Sequence, residues 1–205
     1  MSARSDRRWR LALAALLLGG GAVVAWLAVR PLRSEPPGLS WSLLAPARDA
    51  APRGWRWIVV HHSGTAEGDA ASIDLAHERG RGWDGIGYHF VIGNGAPMPR
   101  GRIEATFRWR DQRAGAHAGA GDAQRPYNQA GIGICVIGDY RDRGLDPLVE
   151  SRLVELCALL VRQHPTLSAE RVIGHREVPG KATACPGSID LPRLRRLVAA
   201  RLERP

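Results

Sequence analysis

Gly174-His175-Arg176-Glu177-Val178-Pro179-Gly180-Lys181-Ala182-Thr183-Ala184-Cys185-Pro186-Gly187 decides how the rest of this 205-residue chain is read. A His and a Cys stand ten positions apart in a segment broken by glycine and proline, which reads as a loop. Imidazole nitrogen and thiolate sulfur are donors that Zn²⁺ favours, and an irregular loop can aim both at one point. A catalytic zinc takes three protein ligands and keeps one position open for water, so a third ligand is sought elsewhere. Trp57-Ile58-Val59-Val60-His61-His62 offers it, a short apolar run with histidines at its C-terminal end. Neighbouring strand residues point to opposite faces, so His61 and His62 do not both face the loop.

Two more segments lie between these, Gly87-Tyr88-His89-Phe90 and Tyr127-Asn128 with Gly131-Ile132-Gly133. In this order the four segments resemble the zinc-dependent N-acetylmuramoyl-L-alanine amidases of type 2, which include phage lysozyme amidases and the peptidoglycan recognition proteins. The resemblance runs from about residue 55 to the C-terminus. It implies an α/β domain with a mixed central β-sheet flanked by helices and a zinc ion in a cleft at one edge. His61, His175 and Cys185 match the family's His, His, Cys ligand set, which selects His61 over His62. His62 is then expected to line the cleft or to hydrogen-bond behind the ligands. Tyr88 matches the active-site tyrosine, a phenol aimed at the attacking water or at the tetrahedral oxyanion. Two residues before the cysteine ligand, phage members carry lysine and many recognition proteins threonine. Thr183 stands there, and the loop is longer than the phage loop, which makes Lys181 the second candidate oxyanion donor. His117 and Asn128 match Ala-His and Tyr-Asn positions of the substrate groove. Arg176 is expected either to meet a stem-peptide carboxylate or to pair with Glu177 on the surface. The implied substrate is the amide between N-acetylmuramic acid and L-alanine of peptidoglycan. Two alternatives stand beside this: a peptidoglycan-binding module without hydrolysis, and a closed structural zinc domain with His117 as fourth ligand.

The formal charge of +9 is unevenly placed. Six arginines against Asp6 give residues 1–33 five of those nine charges. No Lys/Arg cluster interleaved with aromatics follows, so nucleic acid is not an expected partner. Leu11 to Val29 is free of charge and would span about 28 Å as a helix, near the thickness of a bilayer core. Four arginines precede it and two follow, so the expected topology is single-pass, with the N-terminus in the cytoplasm. A cleaved signal peptide is the alternative. The organisation read from this is a cytoplasmic basic segment 1–10, a transmembrane signal anchor 11–29, a Pro-rich linker 30–54 and a zinc amidase domain 55–205. The domain is expected to be monomeric and periplasmic, tied to a bacterial inner membrane.

Within the domain, periodicity predicts strands at Ile58–Val60, Ile86–Ile92, Arg102–Thr106, Gly131–Ile137 and Arg171–Ile173. It predicts helices from Ser72 to Arg79 stopped by Gly80, from Asp146-Pro147 through Leu160, and from Asp190 to the end. Tyr88, Phe90 and Ile92 are expected on one face of their strand, with His89 and Val91 on the other. Cys135 and Cys157 read as buried thiols, with a disulfide between them left open. His77, His89 and His164 are expected to be structural. Trp41, Trp55 and Trp57 are expected to pack on the domain or at the membrane interface.

Overall fold

Alternation along one strand sets both sides of the molecule. In β1 (Trp57–His62) the four central residues are buried. Ile58 and Val60 enter the main core, while Val59 packs on the opposite side with Ala118 and Val178. His61 shares the side of Val59, since side chains two apart on a strand point the same way. The computed structural model describes residues 38–204. The expected segments 1–10 and 11–29, and the first residues of the linker, lie outside the described residues. Among the described residues no helix is long and apolar enough to cross a membrane.

Five strands form one mixed sheet in the order β3-β2-β4-β1-β5. β2 is Phe90–Ile92, β3 Ile103–Ala105, β4 Gly131–Val136 and β5 Val172–Gly174. β2, β4, β1 and β5 run parallel, and β3 closes one edge antiparallel to β2. Ile132, Ile134 and Val136 of β4 join the main core, leaving Gly131, Gly133 and Cys135 on the other face beside Val59 and His61. Two of those three are glycines, and that lack of side chain makes room for what lies above.

The main core is covered by two helices that the sequence marks clearly. One is Pro147–Gln163, started by Asp146, whose carboxylate accepts from Leu148 N at 2.9 Å. The other is Leu191–Leu202, started by Asp190 accepting from Arg193 N at 2.9 Å. Both N-caps satisfy amides that a helix start leaves unpaired. A further helix, Ala70–Arg81, lies on the other side, opened by a reciprocal Asp69–Ser72 capping box. It passes through Gly80 and stops at Gly82, which adopts a left-handed φ of 64° and donates to Glu78 O. Gly80 is solvent-exposed and meets nothing, so a glycine there weakens the helix without ending it.

Two further expectations are corrected. Ile86–His89 is not strand: β2 begins only at Phe90, and the irregular backbone breaks the alternation. Tyr88 therefore packs beside Val91 and Ile137 rather than with Phe90 and Ile92. Residues 38–54, read as part of the linker, pack against the domain. A short helix at Trp41–Leu44 buries Leu44 in the main core, and Trp109 Nε1 donates to Leu44 O. Leu39 N donates to Glu155 Oε1 at 2.6 Å and Ala47 N to Arg110 O at 2.9 Å. The three tryptophans pack on the domain: Trp41 edge-on to Trp109, Trp55 fully buried, and Trp57 against Tyr127. Cys135 and Cys157 are both buried and free, and they sit on opposite faces of the sheet.

Candidate metal centre

β1 delivers His61, and β5 runs straight into a 3-10 turn at His175–Glu177 that delivers His175. The loop beyond is folded back by main-chain bonds. Arg176 N donates to Cys185 O at 2.7 Å and Gly187 N to Ala184 O at 2.7 Å, which brings Cys185 under His175. Glu177 Oε2 accepts from Gly174 N at 2.7 Å and both its oxygens meet Arg195, pinning the turn to the last helix.

The donor atoms of His61, His175 and Cys185 lie within 4.8 Å of one another. His61 Nδ1 is 3.8 Å from Cys185 Sγ, and the His61 and His175 ring centres are 4.6 Å apart. A tetrahedral zinc with bonds of about 2.0–2.3 Å places its ligand atoms roughly 3.3–3.8 Å apart, so the cluster is near that spacing before any ion binds. His61 Nε2 faces His117 Nδ1 at 3.1 Å, and His175 Nε2 donates to Ala118 O at 3.3 Å, so each ring keeps its Nδ1 for a metal. Burial, reinforced by the neighbouring imidazoles, holds His61 well below the usual histidine range. Burial also pushes the Cys185 thiol up to about 11, against the opposing pull of the His62 N–H at 3.4 Å from its sulfur. Two neutral imidazoles and one thiol that ionises on metal binding fit Zn²⁺ and leave a bound ion with net charge +1.

Two grooves lie near this cluster, one walled by His175 and the other by Tyr88 beside His61. One, a cavity of about 430 Å³, is lined by Arg81, Trp83, His117, Asn128, His175 and Lys181. The other, about 450 Å³, is lined by Ser63, Thr65, Glu67, Ser72, His77 and Tyr88, with Arg81 again at its wall. The Tyr88 ring is 5.0 Å from that of His61. Burial raises the Tyr88 pKa well above the usual tyrosine value, so it stays a donor at neutral pH.

A family model described as N-acetylmuramoyl-L-alanine amidase matches residues 51–188. The chain belongs to the N-acetylmuramoyl-L-alanine amidase family. It is 30% identical over 140 residues to the endolysin of Escherichia phage T7, covering 66% of this chain and 82% of that one. It is likewise 30% identical over 140 residues to peptidoglycan-recognition protein SC1a/b of Drosophila simulans, covering 64% and 68%. Among solved structures, the N-acetylmuramoyl-L-alanine amidase LysC from Clostridium intestinale URNW shares the fold, with a TM-score of 0.59 at 24% identity over 73% of this chain and 91% of that one.

Within the amidase domain the remaining expected site residues divide by where their polar atoms go. Lys181 lines the first groove and its charge is felt at His175. Thr183 is engaged inside the loop, where its Oγ1 accepts from Cys185 N at 3.2 Å. His117 and Asn128 line the first groove as expected, yet their polar atoms are bonded within the protein. Asn128 Oδ1 accepts from His117 N and Ala118 N, both at 2.8 Å, and its Nδ2 donates to Gly119 O at 2.7 Å. His62 lines neither groove, because its Nδ1 accepts from Tyr140 N at 3.1 Å. Arg176 directs its guanidinium to the carbonyls of Gly187 and Ile189, holding the end of the ligand loop, and Glu177 pairs with Arg195 in its place. His77 accepts from Gly87 N at 3.0 Å and His89 from Gly133 N at 2.9 Å, structural roles as expected.

Two residues of the site carry no mark in the sequence. Arg81 and Trp83 reach the first groove from the end of the helix that Gly82 stops, with the guanidinium 4.9 Å over the indole.

Proposed function

We propose that this chain is a zinc-dependent hydrolase that cleaves the amide between N-acetylmuramic acid and L-alanine of peptidoglycan. One observation carries the reading. His61 from β1 converges with His175 and Cys185 from one loop, His175 stands in the wall of a groove, and among the described residues the cluster gains no fourth His, Cys or carboxylate. Three ligands with an open position is the catalytic pattern, whereas a structural site closes with four. Held there, zinc supplies Lewis acidity, polarising an amide carbonyl and acidifying a water.

The chain's own groups supply the rest. Tyr88, kept protonated by its burial, donates toward the oxygen on which charge develops, and Lys181 brings an ammonium from the first groove. Thr183 holds the Cys185 turn. Arg81 and Lys181 give the first groove two cations suited to the carboxylates of a stem peptide. Ser63, Thr65 and Ser72 give the second groove hydroxyls suited to a sugar. The charge-free run Leu11–Val29 with its flanking arginines supports anchoring in the inner membrane with this domain in the periplasm.

Cys185→Ser tests the reading. The variant is expected to keep its far-UV circular dichroism and its binding to isolated sacculi while releasing no stem peptide. Undiminished release from the variant removes the zinc assignment and the mechanism with it.

A further inference from the structure

His117 has both ring nitrogens committed, and the direction of its bonds is forced. Its Nε2 lies 3.1 Å from Gly131 O, and a carbonyl oxygen only accepts, so Nε2 carries the proton. Its Nδ1, 3.1 Å from His61 Nε2, is then a lone pair, and His61 must donate from Nε2. That leaves His61 Nδ1 unprotonated and facing Cys185 Sγ. The relay runs from a strand carbonyl through one imidazole to a second imidazole.

The next residue along the chain serves the other histidine. Ala118 O accepts from His175 Nε2, which frees His175 Nδ1 by the same logic. Asn128 fixes this pair of residues from behind, with its carboxamide bonded to the main chain at 117, 118 and 119. The ring of His117 lies on the glycines of the sheet and the adjoining loop. A Cβ at Gly133 would stand 2.4 Å from His117 Cδ2, and one at Gly115 would stand 2.3 Å from it. Side chains at those positions would displace the ring, so the seat is shaped for it.

We infer that His117 and Ala118, bracketed by Asn128, are positioning residues that fix the tautomer and aim of both histidine ligands, His117 acting on His61 and the Ala118 carbonyl on His175. Metal-bound histidines ordinarily give their second N–H to a carboxylate, a carbonyl or water. A neutral imidazole in that place orients His61 without adding negative charge near the ion, which preserves the net +1 of the site. This rests on the zinc reading above but not on the identity of the substrate.

The experiment compares the full chain with His117→Phe, His117→Gln and Asn128→Ala. Zinc affinity is read by competition with a chelating dye, without peptidoglycan. Loss of such a hydrogen-bond partner typically costs 10- to 100-fold in metal affinity. His117→Phe is expected to lose that much and Asn128→Ala a smaller part. His117→Gln, whose carboxamide can accept from His61 and donate to Gly131 O, is expected to recover most of it. Parent-like zinc affinity in His117→Phe, with only sacculus binding weakened, overturns the inference and returns His117 to the substrate groove. A second measurement stands even where a variant folds poorly. Side-chain ¹⁵N shifts of the metal-free parent are expected to show His61 and His117 protonated at Nε2, and a His61 protonated at Nδ1 overturns the relay. Neither readout uses turnover, so failure here is distinct from failure of the amidase proposal.

Discussion

Lowering the pH from 7.5 to 5 in the absence of metal should destabilise this domain, and the sign is set by its histidines. All seven are held below the ordinary histidine pKa, with burial the largest cause in each. A group whose folded pKa is depressed binds fewer protons folded than unfolded. Its stabilisation is complete above the unfolded value near 6.5 and is lost as pH falls toward the folded value. For His117 the folded value is about 4, so over this window it contributes a loss of about 2 kcal/mol, at about 1.4 kcal/mol per pH unit. The other six act in the same direction. Cys185, pushed up to about 11, stays a thiol throughout and contributes nothing. Urea unfolding followed by tryptophan fluorescence reads the change. With a slope of about 2 kcal/mol per molar urea, the midpoint should fall by about 1 M or more between pH 7.5 and 5. An unchanged or rising midpoint refutes the reasoning, because it would mean the buried imidazoles take up protons as readily folded as unfolded.

Lys181→Ala should lower kcat by about 10²-fold with zinc binding intact, as expected for loss of one oxyanion donor. Thr183→Ala should spare kcat in the zinc-loaded protein and instead weaken zinc binding, by leaving the Cys185 N–H without its acceptor; the reverse outcome makes Thr183 the donor. Leu44→Ala should cost about 2–5 kcal/mol in urea unfolding, whereas a residue in a mere tether would cost less than about 0.5 kcal/mol. Tyr88→Phe should reduce turnover of peptidoglycan fragments while leaving zinc affinity within about twofold of the parent, measured by chelator competition; a large affinity loss would make the phenol part of the ligand support instead.

The His, His, Cys cluster was legible because it is mostly local. His175 and Cys185 share one loop, and His61 lies near the end of a strand whose alternation keeps His62 off the same face. Both long helices were legible through their aspartate caps and apolar spacing. Tyr88 could be named but not aimed. Its orientation depends on where β2 begins, and that is fixed by pairing with β4, far away in sequence. The roles of Asn128 and Arg176 were hidden for the same reason, since their partners are main-chain groups of folded loops that no side-chain pattern announces. The proline-rich stretch misled because it lacks periodicity. A single buried leucine and a few main-chain bonds suffice to hold residues 38–54 to the domain. The surroundings of Lys181 and Thr183 are likewise set by the course of the folded loop.

Digestion of purified peptidoglycan by this chain, with and without a zinc chelator, tests the central claim most directly. Mass spectrometry of the soluble products should show free stem peptides beginning with L-alanine, absent after chelation and restored when zinc is added back. Retained binding to the wall with no peptide released under any metal condition would contradict the amidase account and make the domain a recognition module.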